Sequence, residues 1–259
     1  MTRRIRYYLP AVLVFLAAIV AWEIAVRALE IRRFLLPPLT AIGEALGAGW
    51  SRLAPAGLNT FVEAIGGFGI GLFWGLVVAF GAARSRLARD MLMPFAIGAN
   101  AVPIIAFAPI MNNWFGTVSP LSKMMIVAVL VFFPVMINTL RGLTSVDASA
   151  LELMRSYAAS DVTVLRKVRV AAALPYFFTA LKVSATLSLI GAIVGEYFGG
   201  SANTLGYLIV QSASSLRFET AWAAVLIAAA LGIGFYLLIL ALERVIMPWH
   251  VSVRGAAGG

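Results

Sequence analysis

Six apolar stretches divide this chain, and each is long enough for a helix to cross a bilayer. They run from Leu9 to Val26, Leu58 to Ala83, Met91 to Met111, Ser122 to Leu140, Pro175 to Phe198 and Ala221 to Leu242. Backbone polar groups in hydrocarbon must be hydrogen-bonded internally, which leaves helices or closed barrels. Because the stretches lack the alternation of barrel strands, they predict an all-α membrane protein with six transmembrane helices, forming a single domain over residues 1–259.

Composition also indicates a lipid environment. Apolar residues make up 62% of the chain and charged residues only 12%, against about 25% charged in soluble domains. The formal net charge is +9, but the basic residues lie in short clusters between apolar stretches and form no stripe for nucleic acid. With no cysteine and one histidine, His250, the chain lacks the ligands of thiolate or histidine metal sites.

The basic residues predict an orientation, because cytoplasmic loops carry an excess of Lys and Arg. Thirteen fall on the side of both termini: Arg3, Arg4, Arg6, Arg84, Arg86, Arg89, Arg141, Arg155, Arg166, Lys167, Arg169, Arg244 and Arg254. Six fall on the other side: Arg27, Arg32, Arg33, Arg52, Lys123 and Arg217. We therefore expect a multi-pass protein of the bacterial inner membrane with both termini in the cytoplasm.

The connection between the fourth and fifth stretches, residues 141–174, is rich in helix-forming residues. Ser149 is placed to cap a helix that begins at Ala150, with Glu152 at its third position as in a capping box. Asp161 is placed to begin a second short helix. Two amphipathic helices on the cytoplasmic side predict a docking surface, although the same pattern suits a loop lying on anionic lipid.

This loop resembles the cytoplasmic signature of permeases from binding-protein-dependent ABC importers, which begins with Glu-Ala-Ala and has a Gly six residues after the Glu. Here Glu152 is kept, Leu153 and Met154 replace both alanines, and Ala158 replaces the glycine. The basic and aliphatic run that follows ends in Leu174-Pro175, as in the family, with Ala171 at the position of its usual first proline.

The resemblance extends over nearly the whole chain and is strongest to the branch that imports nitrate, sulfonates, taurine, bicarbonate and thiamine precursors. The segments that carry it are Trp22-Glu23, Leu36-Pro37-Pro38, Gly67-Phe68, Pro103 to Pro109, Asn113-Trp114-Phe115-Gly116, Glu196, Leu205-Gly206-Tyr207 and Pro248-Trp249. One departure is Glu63, where the family commonly has a basic residue.

The resemblance implies a type I ABC importer permease fold and a chain that is not itself an enzyme. ATP and Mg would be bound by a separate ATPase subunit, and the chain has no phosphate-binding loop motif of its own. Arg155 to Leu165 would form the coupling helix. Residues implied in coupling are Glu152, Arg155, Ser156, Tyr157, Ala158, Asp161, Leu165 and Arg166. Further implied partners are a periplasmic or lipid-anchored substrate-binding protein, a second permease copy in a homodimer, and membrane lipid.

A translocation pathway is predicted along spans three to five, because prolines at 94, 103, 109 and 134 interrupt spans three and four. Such breaks are tolerated where neighbouring groups or a water-filled cavity satisfy the backbone. The candidate lining residues are Asn100, Pro103, Asn112, Asn113, Asn138, Ser184 and Ser188. Packing between helices is the alternative reading of these residues.

Charged residues inside spans are costly and therefore candidates for function. Glu196 lies near the outer end of span five and is a candidate outer gate or binding-protein contact. Glu63 lies near the outer start of span two, where it could pair with Arg52 or Arg217. Lys182 is expected to extend towards the cytoplasmic face in a structural role.

Glycines 66, 67, 69, 71 and 75 give span two small faces that suit close helix approach, either to another helix of the chain or to a second copy. A stand-alone secondary transporter or channel is the alternative function, and an intramembrane enzyme is a third. The substrate itself is not fixed by the sequence. Thiamine-precursor pyrimidines, riboflavin-like compounds, sulfonates and taurine are the candidates, with heteroaromatic vitamin precursors preferred.

Overall fold

The computed structural model describes residues 2–100 and 102–248, and its apolar stretches are helical. The α-helices of this described part are α1 (Thr2–Ala28), α2 (Leu39–Ala48), α3 (Trp50–Ala82), α4 (Arg86–Asn100), α5 (Ala108–Phe115), α6 (Pro120–Thr144), α7 (Ala148–Ser156), α8 (Asp161–Val164), α9 (Val170–Tyr197), α10 (Leu205–Ser214) and α11 (Phe218–Ile246). A 3-10 turn, Ile104–Phe107, precedes α5, and a π-helical turn, Leu165–Arg169, joins α8 to α9. Residues 249–259, which include Trp249, His250 and Arg254, lie outside the described residues, as do the side chains of Arg3, Arg4, Arg6 and Asn100.

Five helical segments are long and apolar enough to cross a membrane: Leu9–Ala28, Trp50–Ala82, Pro120–Thr144, Asp161–Tyr197 and Phe218–Ile246. The predicted class, an all-helical membrane protein, is confirmed. Span two begins eight residues earlier than predicted, since α3 starts at Trp50 and continues through Leu58.

The third apolar stretch, residues 91–111, is not one continuous helix. α4 ends at Asn100, and Pro103 lies between α4 and the 3-10 turn, where its ring and missing N–H oppose a continuing helix. α4 packs through Leu92 and Ala96 against the second half of α6. α5 packs through Met111 against its first half. The broken segment therefore runs beside α6 in the opposite direction.

The bundle has two ends, which we name by their contents. The loop end holds α7, α8 and the ends of α3, α6 and α11. The opposite end holds α10, the start of α6 and the end of α9. At the opposite end, Ile42 of α2 and Leu53 of α3 are buried with Leu205 of α10. The short helices there are thus part of the packed bundle.

The core lies where α3, α6, α9 and α11 meet, around residues such as Val127, Leu181 and Phe235. The closest approach between two helices in the core is that of α3 to α6, at a stripe of glycines on α3. A Cβ added at Gly67 would lie 2.4 Å from the carbonyl oxygen of Met124, and one at Gly71 would lie 2.4 Å from that of Ala128. These glycines therefore serve a contact within the chain, between α3 and α6.

Two details of the loop differ from the predictions. α7 begins at Ala148 with Asp147 as its N-cap residue, so Ser149 lies inside the helix and does not cap it. The predicted coupling helix from Arg155 to Leu165 is not a single helix. α7 ends at Ser156, and Ala158 takes a left-handed conformation with φ of 48°, which no α-helix accommodates. Asp161 does begin α8, and the Ser160 hydroxyl accepts a hydrogen bond from the Thr163 N–H.

Substitution of Gly67 by Ala should destabilise the protein by about 1–3 kcal/mol, because the new methyl group would displace the α6 backbone. The matched control is Gly69→Ala on the same helix, where an added Cβ meets nothing within 4 Å. Thermal unfolding of the purified proteins in detergent measures both changes. Equal midpoints for the two variants would contradict this packing.

Candidate functional site

A buried polar cluster lies at the opposite end of the bundle and consists of Thr60, Glu63, Asn112, Lys123 and Glu196. All five side chains are buried, and Lys123 and Glu196 are each only 1% exposed. Lys123 lies in the first turn of α6, which Ser119 caps. Its ammonium group donates to the carbonyl oxygens of Thr117 and Gly199 and, at 3.3 Å, to Asn112 Oδ1. One cation thus joins α5, α6 and the turn after α9.

Glu196 lies in the last turn of α9 and binds the start of α10. Its Oε2 accepts a 2.6 Å hydrogen bond from the Gly206 N–H, in the first turn of α10. A carboxylate is favoured there by the free N–H groups and the dipole of the helix. The Thr60 hydroxyl accepts from the neighbouring Leu205 N–H at 2.9 Å, which ties α3 to the same point. Gly206 permits this approach, since an added Cβ would lie 2.6 Å from that of Glu196.

Glu63 faces this cluster and does not pair with Arg52 or Arg217, so the predicted outer ion pair is wrong. Glu63 lies on the face of α3 that is buried against α6 and α9. Its carboxyl group therefore faces Glu196 and Lys123. Arg52 instead donates to Gln211 Oε1 at 2.9 Å. Lys123, counted in the sequence as a cation of an outer loop, is likewise a buried residue of α6.

The cluster therefore sets two carboxyl groups against one ammonium group. Glu63 Oε2 and Glu196 Oε1 have no hydrogen-bond donor among the described residues. Beside Glu196 lies a cavity of about 400 Å³ lined also by Tyr197, Tyr207 and Gln211. These buried charges are stable only while the helices that carry their partners stay in contact. The cluster therefore stabilises the packing of the helices at this end of the bundle.

The predicted pathway residues do not share one surface. Asn112 belongs to the buried cluster, whereas Pro103 and Asn113 are exposed along the broken α4–α5 segment. Asn138 is half-buried and donates to the Pro134 carbonyl within its own helix at 2.8 Å.

Ser184 and Ser188 are fully buried. They lie at helical spacing from Gly191 and Gly195, whose backbones pack against α6. These two serines therefore line no open path in this conformation of the chain.

The loop end presents the second candidate surface. Glu152, Arg155, Ser156, Tyr157, Ala158, Asp161 and Arg166 are all exposed, and Leu165 is half-buried. Between the charged groups, Leu153 is 56% and Tyr157 75% exposed. Exposed apolar side chains among charges at a helix end are typical of a protein contact.

Two other charged residues singled out in the sequence, Lys182 and Glu23, are paired within the chain. Lys182 extends towards the loop end, as predicted, and its Nζ lies 2.8 Å from Oε2 of Glu243, in the last turn of α11. Glu23 contacts Arg27 at 2.6 Å and the Thr40 hydroxyl at 2.9 Å. The Lys182–Glu243 pair joins α9 to α11, and Glu23 joins α1 to α2 through Thr40, so both acidic residues have structural roles.

Sequence reasoning missed Lys123 as a site residue. One signal was available, since Lys123 lies inside the apolar run that follows Pro120, where a charge needs partners. Its partners could not have been found, because Thr117 and Gly199 contribute only backbone carbonyl groups.

Comparison with known proteins agrees with the helical membrane architecture. Residues 45–249 match the family of binding-protein-dependent transport system inner membrane components. A probable ABC transporter permease protein of Haemophilus influenzae is 28% identical, covering 90% of this chain and 94% of the relative. The formylaminopyrimidine transport permease protein ThiX of Halalkalibacterium halodurans is 28% identical, covering 93% and 96%. The riboflavin transport system permease protein RibX of Chloroflexus aurantiacus is 30% identical, covering 94% and 90%.

Replacement of Lys123 by Met should cost on the order of 3 kcal/mol, because it leaves buried carboxyl and carbonyl groups without their cation. Glu63→Gln keeps the shape of the side chain and leaves Glu196 as the one acid beside the lysine. The free energy of unfolding should therefore fall by less than in Lys123→Met. Chemical unfolding in detergent micelles compares the two. If Lys123→Met unfolds at the same denaturant concentration as the intact protein, the cluster does not hold this end together.

Ala158→Gly should stabilise the turn between α7 and α8 by about 1 kcal/mol, since glycine removes the left-handed cost of Cβ. Ala159→Gly, one residue later and outside the left-handed region, should give no gain. Amide hydrogen exchange across residues 155–161 should slow only in the first variant. Equal exchange in both variants would be evidence against the observed turn.

Proposed function

The chain belongs to the family of binding-protein-dependent transport system inner membrane components and is an ABC importer permease, and we propose that its exposed loop between α6 and α9 couples it to an ATPase subunit. The observation that carries the proposal is the apolar and charged surface of α7, α8 and the turn between them. As a permease of the inner membrane it requires an ATP-binding subunit and a substrate-binding protein as partners.

We place the loop end in the cytoplasm, with both termini on that side. The support is the excess of Lys and Arg in the segments that meet there. The α4–α5 segment begins at the loop end and finishes beside the start of α6, so it supplies a sixth, broken membrane crossing. Broken helices in a membrane suit segments that line a cavity or face another protein.

Coupling would proceed through the side chains that the loop presents. Leu153 and Tyr157 would enter an apolar groove of the ATPase subunit, while Glu152, Arg155, Asp161 and Arg166 would fix the register by charge pairing. ATP and Mg would be bound by that subunit, whose closure moves the loop. The loop is followed by the π-helical turn and α9, so its movement would reach the core helices directly.

At the periplasmic end, the polar cluster would act as the outer gate. Glu196 joins α9 to α10, and Lys123 joins α6 to the turn after α9. Opening this end requires these buried contacts to separate or move as a unit. A docked substrate-binding protein would therefore open this end by moving the polar cluster.

The substrate would be a small organic solute that crosses between two permease copies. The exposed Asn113 and Trp114 of α5 would lie along that path. Sulfonate and taurine permeases are also among the relatives. We prefer a heteroaromatic vitamin precursor, because the relatives named for formylaminopyrimidine and riboflavin transport match over 96% and 90% of their length.

Tyr157→Ser should weaken binding of the ATPase subunit roughly thirtyfold, because a buried interface tyrosine contributes about 2 kcal/mol. Leu87→Ser is the matched control, since Leu87 is 71% exposed at the same end but lies outside the loop. A binding titration of the purified permease with its ATPase subunit measures both. Equal affinities for the two variants would overturn the assignment of the loop as the docking surface.

A further inference from the structure

A cleft at the loop end carries far more positive than negative charge. It has a volume of about 650 Å³, and its lining includes Arg84, Arg86, Arg89, Arg155 and Arg169. The single acidic side chain in the lining is Asp161. Arg84 and Arg86 come from the α3–α4 connection, whereas Arg155 and Arg169 come from the loop. Two separate parts of the chain thus converge on one basic cavity.

These guanidinium groups have few partners of their own. Arg89 contacts the adjacent Asp90 at 3.2 Å, in an exposed pair. Among residues 2–100 and 102–248, the other four arginines make no ion pair. Cations gathered without counter-charge repel one another, and an anion bound between them removes that repulsion.

Most of the other lining residues are apolar, and they include Phe80, Leu143, Leu151 and Leu165. Phe80 lies in the last turns of the membrane-spanning helix α3, so the cleft is at the depth where lipid headgroups meet the hydrocarbon. A cavity lined by both arginines and apolar side chains fits an amphiphilic anion. Guanidinium groups bind phosphate in a bidentate manner.

We propose that this cleft binds the phosphate group of an anionic phospholipid of the cytoplasmic leaflet, which bridges the α3–α4 connection and the coupling loop. The inference rests on the proposed orientation, with the loop end in the cytoplasm. Acidic side chains of the ATPase subunit are the rival occupant. They are disfavoured because three of the five arginines, Arg84, Arg86 and Arg89, lie outside the docking loop. The docking surface and the cleft share Arg155, Asp161 and the exposed Val162.

The test measures lipid binding to the full-length purified chain alone, by native mass spectrometry. Phosphatidylglycerol, phosphatidylcholine and inorganic phosphate are titrated in separate arms. The double variant Arg84→Gln, Arg169→Gln should bind phosphatidylglycerol roughly thirtyfold more weakly, at about 1 kcal/mol for each arginine. The control Arg141→Gln, Lys167→Gln removes two cations of the same end that lie outside the cleft, and it should bind like the intact chain.

Equal loss in both double variants would overturn the site, and so would equal affinity of the intact chain for phosphatidylcholine. Binding of inorganic phosphate alone, with the same dependence on Arg84 and Arg169, would overturn the lipid as the source of the anion. Displacement of the lipid by added ATPase subunit would assign the cleft to that subunit. Should the double variant fail to fold, the single variant Arg84→Gln should show roughly a fivefold loss. Because the binding arms contain no ATPase, their failure would leave the proposed coupling function standing.

Discussion

The ammonium group of Lys123 is the contact on which the arrangement at one end of this bundle depends. It bonds to the carbonyl oxygens of Thr117 and Gly199 and to Asn112, and it is the cation nearest to two buried carboxyl groups. Such a group is stable away from water only while its partners stay in place. The start of α6, the end of α9 and the segments beside them are thereby held in one geometry, which is what an outer gate requires.

Packing along the bundle supplies the rest of the rigidity. The glycine stripe lets α3 approach α6 to backbone contact, and Gly191 and Gly195 do the same for α9. The hydrophobic effect does not drive helices together among lipid tails. Their association therefore depends on close packing and on buried polar contacts. The Lys182–Glu243 pair ties α9 to α11 nearer the loop end. A movement of the loop would therefore reach the gate through helices that shift as connected bodies.

Much of this could be predicted from the sequence, and the failures have physical causes. Apolar length predicted the spans, because a bilayer fixes that length, and Pro103 marked the region where the third would break. Ala158 stands where the family has glycine and takes the conformation that favours glycine. Glu63 was assigned the wrong partner, because the register between α3 and α9 depends on packing that one sequence does not reveal. The basic cleft could not be predicted from the sequence, since Arg84 and Arg169 are distant in the chain and only the fold brings them together.

Coupling of ATP hydrolysis to this permease is the central claim, and one measurement addresses it most directly. The permease is reconstituted with its ATPase subunit and substrate-binding protein, and hydrolysis is compared between the intact chain and the variant Glu152→Ala, Arg155→Glu. The account predicts that the loaded binding protein stimulates hydrolysis in the intact complex and that the folded variant loses this stimulation. Unchanged stimulation in the variant, or no association of the intact chain with an ATPase subunit, would contradict it.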